Sequence, residues 1–232
     1  MMKKKLLTIL AVSLALFLSL PAFVAASDRD DDVSRIDHAT QVFHEIQTAP
    51  DGIPASVLKA AKCIAIIPGE KKFAFVFGGN YGRGVATCRH AAGWSAPMFV
   101  AIDGGSVGYQ IGGSSTDLIM IFMNDHALQN LMSDKFKLGG DASVAAGPVG
   151  RQAAADTDIS MRAEILAYSR SRGVFAGISL DGAVVQADKS GDHAMYGDDV
   201  TRREILDGKI APPDAARPLL REIRRAVTNA SA

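Results

Sequence analysis

The apolar positions of the chain change period twice. From residue 33 to 47, Val33, Ile36, Thr40, Phe43 and Ile46 recur at spacings of three and four, which predicts a helix with one buried stripe. After Asp51-Gly-Ile-Pro54, the proline suits the first turn of a short helix reaching Lys62. The period then shortens. Residues 63–67, 73–77, 85–89, 98–102, 107–111 and 118–123 are short apolar or alternating runs between turn residues, and predict strands. Asn124 is placed to cap a helix from Asp125 to about Ser133, with Leu128, Leu131 and Met132 inward. Strands are expected again at 165–168, 174–180 and 183–187, and helices at 199–206 and 213–227. In the last helix Leu219, Leu220, Ile223 and Val227 share a face, surrounded by Arg217, Arg221, Arg224 and Arg225. That pattern fits a helix packed on the core with arginines reaching outward better than a helix lying in a membrane interface.

Paired glycines punctuate the strands. Gly78-Gly-Asn-Tyr-Gly-Arg-Gly84 is read as a hairpin, because a dinucleotide-binding loop would be followed by a helix and here a strand follows. Gly104-Gly105 and Gly112-Gly113 are read as further turns. Short strands at regular spacing broken in this way predict a curled antiparallel sheet or partial β-barrel, flanked by the helices at either end of the chain. Between residues 138 and 156, glycines and a proline stand among alanines with few charges. Such a stretch suits backbone packed closely against other backbone, where larger side chains would not fit.

Lys3, Lys4 and Lys5, an apolar run from Leu6 to Leu20, and the small residues Val24-Ala25-Ala26 match a secretory signal peptide cut after Ala26. The alternative is an uncleaved anchor, since 6–26 is nearly long enough to span a bilayer. Residues 27–32 are expected to form a disordered tail and 33–228 the domain. Of the 25 basic residues three belong to the leader, leaving 22 against 25 acidic ones. That balance excludes a general nucleic-acid binder. In an exported chain the two cysteines, Cys63 and Cys88, favour a disulfide over two buried thiols, and their separation lacks the paired spacing of a zinc site.

No catalytic constellation emerges. Gly93-Trp-Ser-Ala-Pro97 lacks the second glycine of a nucleophile elbow, and the five histidines stand apart with no metal spacing. The run 188–192 lacks the spacing of a calcium loop and is read as a surface turn. No cofactor and no metal are expected. A lipid headgroup requires cations or backbone N–H groups near its phosphate. The candidates are Lys71 and Lys72 in a turn, Arg83 in the glycine hairpin, Arg89, Lys135, Lys137, Arg151 after the small-residue stretch, and Arg170 and Arg172 in another turn. Arg83 and Arg151 stand out, because neighbouring glycines let a phosphate approach the backbone.

Several phrases together resemble the SYLF-domain family, the lipid- and actin-binding module of eukaryotic endocytic proteins, and its exported bacterial relatives. They are Ala61-Lys-Cys-Ile-Ala-Ile-Ile-Pro68, Phe77-Gly-Gly-Asn-Tyr-Gly-Arg-Gly84, Trp94-Ser-Ala-Pro97, Gln110-Ile-Gly112, 117–124, Lys135-Phe-Lys-Leu-Gly139, 141–151 and 168–182. The resemblance implies a single α+β domain that binds phospholipid, phosphoinositides in the eukaryotic members, without catalysis. It implies a partner that is an anionic membrane surface, peripheral to which an exported, periplasmic chain would sit. Actin is not expected there, since an exported protein would not meet it. The rival readings are an envelope protein-interaction module and a lipid- or peptidoglycan-acting hydrolase.

Overall fold

The computed structural model describes residues 21–50, 52–75, 77–107, 112–148, 163–171, 174–175 and 180–228. Helix α1 (Pro21–Thr48) and α2 (Ala55–Ala60) precede strands β1 (Cys63–Phe75), β2 (Phe77–His90), β3 (Gly93–Trp94), β4 (Met98–Val107) and β5 (Gly112–Phe122). Helix α3 (Asp125–Met132), β6 (Lys135–Lys137), β7 (Val144–Ala146), β8 (Ile165–Ser171), β9 (Val174–Phe175) and β10 (Val184–Ala187) follow. Helices α4 (Lys189–Tyr196), α5 (Arg202–Leu206), a 3-10 turn (Asp214–Ala216) and α6 (Arg217–Thr228) complete the domain.

One strongly curled sheet, a half-barrel, runs β6-β10-β4-β2-β1-β5-β8-β7, with β3 on β2 and β9 on β8. It is antiparallel except for β7, which runs parallel to β8. The expected α+β half-barrel is therefore present. Its central strand explains a run that does not alternate: Cys63 to Ile67 is buried at every position because both faces are covered. Ile64 and Ile66 meet Ile36, Phe43 and Ile46 of α1 together with Leu58 and Ile223, in a first core. Cys63, Ala65 and Ile67 meet Leu131, Phe136 and Leu206 in a second, on the other face. The disulfide joins Cys63 to Cys88, which are directly opposed across β1 and β2.

Several boundaries depart from expectation, most of them because glycines do not interrupt these strands. The 78–84 segment is not a loop. It lies within β2, and the chain reverses between Phe75 and Phe77, which pair across β1 and β2. The glycine segments of β2 and β4 instead face one another, Gly79 opposite Gly105, while Gly79 and Gly113 stand on either side of Phe73 of β1. Likewise the turn assigned to Lys71 and Lys72 is strand. Pro68-Gly69 makes only an irregularity in β1, with Gly69 at φ 58° and its N–H donating to Asp117 at 2.9 Å. Arg170, expected in a loop, lies in β8, paired with Asp117 of β5. Gly84 shows why substitution here is blocked: a Cβ would stand 2.0 Å from the Ile66 carbonyl oxygen.

Residues 28–32, expected as a disordered tail, are helical, because α1 begins upstream of the amphipathic stripe and Asp32 is buried against Arg35. Of the small-residue stretch, 138–148 is described. There β7 lies backbone to backbone with β8, but Gly147 meets a side chain, with a Cβ placed 2.1 Å from the Tyr168 ring. The strand expected at 174–180 is described only as β9, and 176–179 lie outside the described residues.

Candidate functional site

Of the nine bases read as lipid ligands, the five whose side chains are described, Arg83, Arg89, Lys135, Lys137 and Arg170, do not gather at one place. Arg83, on β2, gives its Nε and Nη2 to Asp188 at 3.1 and 2.7 Å, beside a cleft of about 250 Å³ that is otherwise lined by Asp28, Asp31, Asp32, Ser190 and Gly191. Burial works against its charge, yet the hydrogen bond and charge of Asp188 raise its pKa. Arg89 donates to the carbonyls of Ala61 and Leu58 at 3.1 and 2.9 Å, closing the end of α2, and stacks over Trp94 at 4.7 Å. Partial burial lowers its pKa. Arg170 pairs with Glu45 of α1 at 2.7 Å. Lys135 and Lys137 are exposed on either side of the buried Phe136 in edge strand β6, where lysines also discourage pairing with another chain. Neither makes an ion pair among the described residues. The side chains of Lys71 and Lys72, and all of Arg151 and Arg172, lie outside the described part of the molecule.

What the fold does bring together is a charged cluster at the junction of α1, β2, β4 and α4. Asp188 is the N-cap of α4, not part of a surface turn. Its Oδ2 accepts from Arg35 at 2.7 Å as well as from Arg83, and its Oδ1 accepts from the Ser190 hydroxyl at 2.7 Å. Arg35 also pairs with Asp32 at 2.8 Å and lies 5.0 Å from the Phe99 ring centroid. Deeper in, Asp192 accepts from the Phe99 N–H at 2.7 Å, with the Arg202 Nε 3.6 Å from its other oxygen. Arg29 donates to the Met195 carbonyl at 3.1 Å, so α1 also closes the far end of α4. Sequence reading missed this cluster. Its local signals are Asp32 and Arg35 at i and i+3 and Ser190 two residues after Asp188; the links of Asp188 to Arg35 and Arg83, which join α4 to α1 and β2, span more than a hundred residues.

Burial would push Asp188 upward, but hydrogen bonds from Ser190, Arg83 and Arg35 outweigh it and hold the carboxyl well below the usual range. In Asp192 burial wins over the Phe99 N–H and the Arg202 charge, and raises the carboxyl to about 6. Asp32 is raised by burial too, against the charge of Arg35. These shifts have opposite consequences for stability. A raised carboxyl binds a proton in the folded state that the unfolded chain has released, so stability falls as pH rises from the ordinary value of 3.8 to about 6. The depressed Asp188 contributes stability above its unfolded value, lost as pH falls through its folded one. Stability is therefore expected to pass through a maximum near the ordinary carboxylate range. Asp192→Asn, which keeps an acceptor for the Phe99 N–H, should remove most of the fall on the neutral side, on the order of 2 kcal/mol. Urea midpoints followed from acid to neutral pH check this; an unchanged slope in the variant would exclude Asp192 as its source.

Most polar atoms of this cluster are directed at one another and at backbone groups, while Asp192 Oδ2 and Arg202 Nε, 3.6 Å apart, are buried without a hydrogen-bond partner. Among the described residues no group of three or more His, Cys, Asp or Glu side chains stands ready to hold a metal. No described helix is long and apolar enough to cross a membrane. On the other side of α1, helix α6 buries Leu219, Leu220, Ile223 and Ala226, leaving Arg217, Arg221, Arg224 and Arg225 exposed. A cleft of about 290 Å³ opens between α1, α2 and α6, lined by His44, Gln47, Glu222 and Arg225 among others.

Residues 103–226 match a family described as Las17-binding protein actin regulator, Ysc84. The chain is 37% identical over 190 residues to LAS seventeen-binding protein 3 of Saccharomyces cerevisiae, covering 80% of this chain and 41% of that one. An SH3 domain-containing protein of Schizosaccharomyces pombe is 38% identical over 185 residues, covering 78% and 43%. The SH3 domain-containing YSC84-like protein 1 of Xenopus laevis is 35% identical over 190 residues, covering 78% and 56%. The chain thus spans about half the length of these relatives or less, and the Saccharomyces protein and the family are named for binding and regulation. With a match this extensive, and with the expected half-barrel present, the chain belongs to the SYLF (Ysc84) domain family.

Proposed function

We propose that this chain is a non-catalytic phospholipid-binding domain of the periplasm or cell envelope, exported by its N-terminal leader and peripheral to a membrane whose anionic headgroups it meets with exposed cations. One observation supports this most directly. The helices and the two-faced core hold a scaffold on which several basic side chains, Arg221 and Arg224 among them, are exposed with no carboxylate partner among the described residues. Unpaired charge held on a fixed surface favours an anionic counterpart of extended, unspecific shape, such as a bilayer. Sedimentation with vesicles of phosphatidylglycerol and phosphatidylcholine tests it. Binding should require the acidic lipid and weaken as salt shortens the Debye length below about 8 Å. Equal binding to neutral vesicles, unaffected by salt, would exclude the electrostatic mode.

A second reading is a protein-interaction module, favoured by relatives named for binding Las17. Capture from an envelope fraction before and after detergent extraction separates the two. A stoichiometric protein partner that persists without lipid supports the second.

A further inference from the structure

Building on the phospholipid reading, we infer that the outward face of α6, centred on Arg221 and Arg224, is the surface that rests on an acidic bilayer. Four arginines of this helix are exposed. Arg217 is paired with Asp214 at 2.7 Å and Arg225 with Glu222 at 3.1 Å, each within the same helical turn. Arg221 and Arg224 have no carboxylate among the described residues. Arg221 stands four residues from both Arg217 and Arg225 and three from Arg224, so like charges are neighbours on one face, an arrangement that disfavours the isolated helix. The fold does not need it: Leu219, Leu220, Ile223 and Ala226 already fasten α6 to the core. An external anion is what relieves such a face.

The identity of that anion follows from geometry and charge. The row runs along a helix that cannot rotate, because its apolar side is fully used, so the cations form a line on a surface. A line of phosphates in a bilayer plane matches it. The same burial excludes insertion, because no apolar face is left to enter the acyl region, which separates this mode from that of an interfacial amphipathic helix. Orientation follows too. His44 of α1 stands beside Glu222 of α6, and Asp28, Asp30 and Asp31 are exposed on α1 some 20 Å toward its N-terminus. An acidic bilayer would repel that end and attract this one. The exposed Lys135 and Lys137 lie on edge strand β6, which packs on α3 and β10, while α6 packs on α1 and α2, so the two pairs of cations belong to different parts of the fold and are tested separately.

Three variants of the whole chain test the assignment on phosphatidylglycerol-containing vesicles. Arg221→Gln/Arg224→Gln should bind about thirtyfold more weakly, roughly a factor of five for each cation near the surface. Arg221→Lys/Arg224→Lys should retain most of the binding, and Lys135→Gln/Lys137→Gln should bind like the unmodified chain. Thermal melting of all three should be unchanged, since every substituted side chain is exposed. If the glutamine pair on α6 binds normally, or if the β6 pair is the one that fails, the assignment is overturned while the lipid reading stands. If the unmodified chain ignores acidic vesicles, the lipid reading falls and takes this one with it.

Discussion

Asp188→Ala is expected to destabilise the domain by about 3–5 kcal/mol, the range for removing one member of a buried charge pair. The size comes from what the substitution leaves behind. Arg35 is 8% exposed and would keep only Asp32, itself buried and inclined to hold a proton. Arg83, by contrast, is 41% exposed at its side chain and would simply turn to water. Arg83→Gln should therefore cost less than about 1 kcal/mol, as exposed pairs do. The difference between the two variants reports the Arg35 component together with the lost N-cap of α4. Loss of the α4 N-cap contributes about 1 kcal/mol more, because the Gly191 N–H loses its acceptor. Replacing both buried partners, as Arg35→Met/Asp188→Leu, should recover only part of the loss, since it removes the unmatched Arg35 charge but takes from the buried Asp32 its ion-pair partner. Urea unfolding of the three variants checks the order. If Asp188→Ala costs no more than Arg83→Gln, Arg35 is not held by Asp188 in the way the distances imply.

The same comparison shows what was legible in the residues and what was not. The stripe of α1, the Asn124 cap, whose side chain accepts from the Ala127 N–H at 2.8 Å, and the apolar face of α6 are local periodicities, and each is where the pattern places it. The cysteine pair is a local count combined with an expected compartment. The glycine segments misled because their reason is non-local. A glycine pair between apolar runs looks like a turn until the strands beside it turn out to carry glycines at the matching positions, as Gly79 and Gly105 do. The partners of the basic residues are non-local in the same way. Nothing near Arg83 in sequence shows that its partner is Asp188, or that Arg89 reaches back to the end of α2. A base beside glycines in the sequence is not thereby a free base. The α6 arginines were visible, but only tertiary packing shows that their apolar neighbours are consumed by the core, leaving the cations as the exposed surface of that helix.

Removal of the disulfide is the other change expected to have a large effect. Cys63 and Cys88 are separated by 25 residues, and closing a loop of that size in the unfolded chain is worth about 3.5 kcal/mol on the chain-entropy estimate. The native state gives little of this back when the bond is lost. β1 and β2 remain paired from Cys63 opposite Cys88 down to Phe75 opposite Phe77, and β1 is held on its other edge by β5, so the folded geometry survives without the link. The effect therefore resides in the unfolded ensemble, and two measurements should show it together. Cys63→Ala/Cys88→Ala should lower the urea midpoint and raise the m-value, because an uncrosslinked chain exposes more surface on unfolding. Its melting temperature should fall by roughly 10 °C for a domain of this size. The oxidised protein treated with reductant under denaturing conditions, then refolded, should behave like the variant. A variant with an unchanged midpoint and an unchanged m-value would mean that the unfolded chain already keeps β1 and β2 together. In that case the disulfide follows from the hairpin and contributes little to its stability.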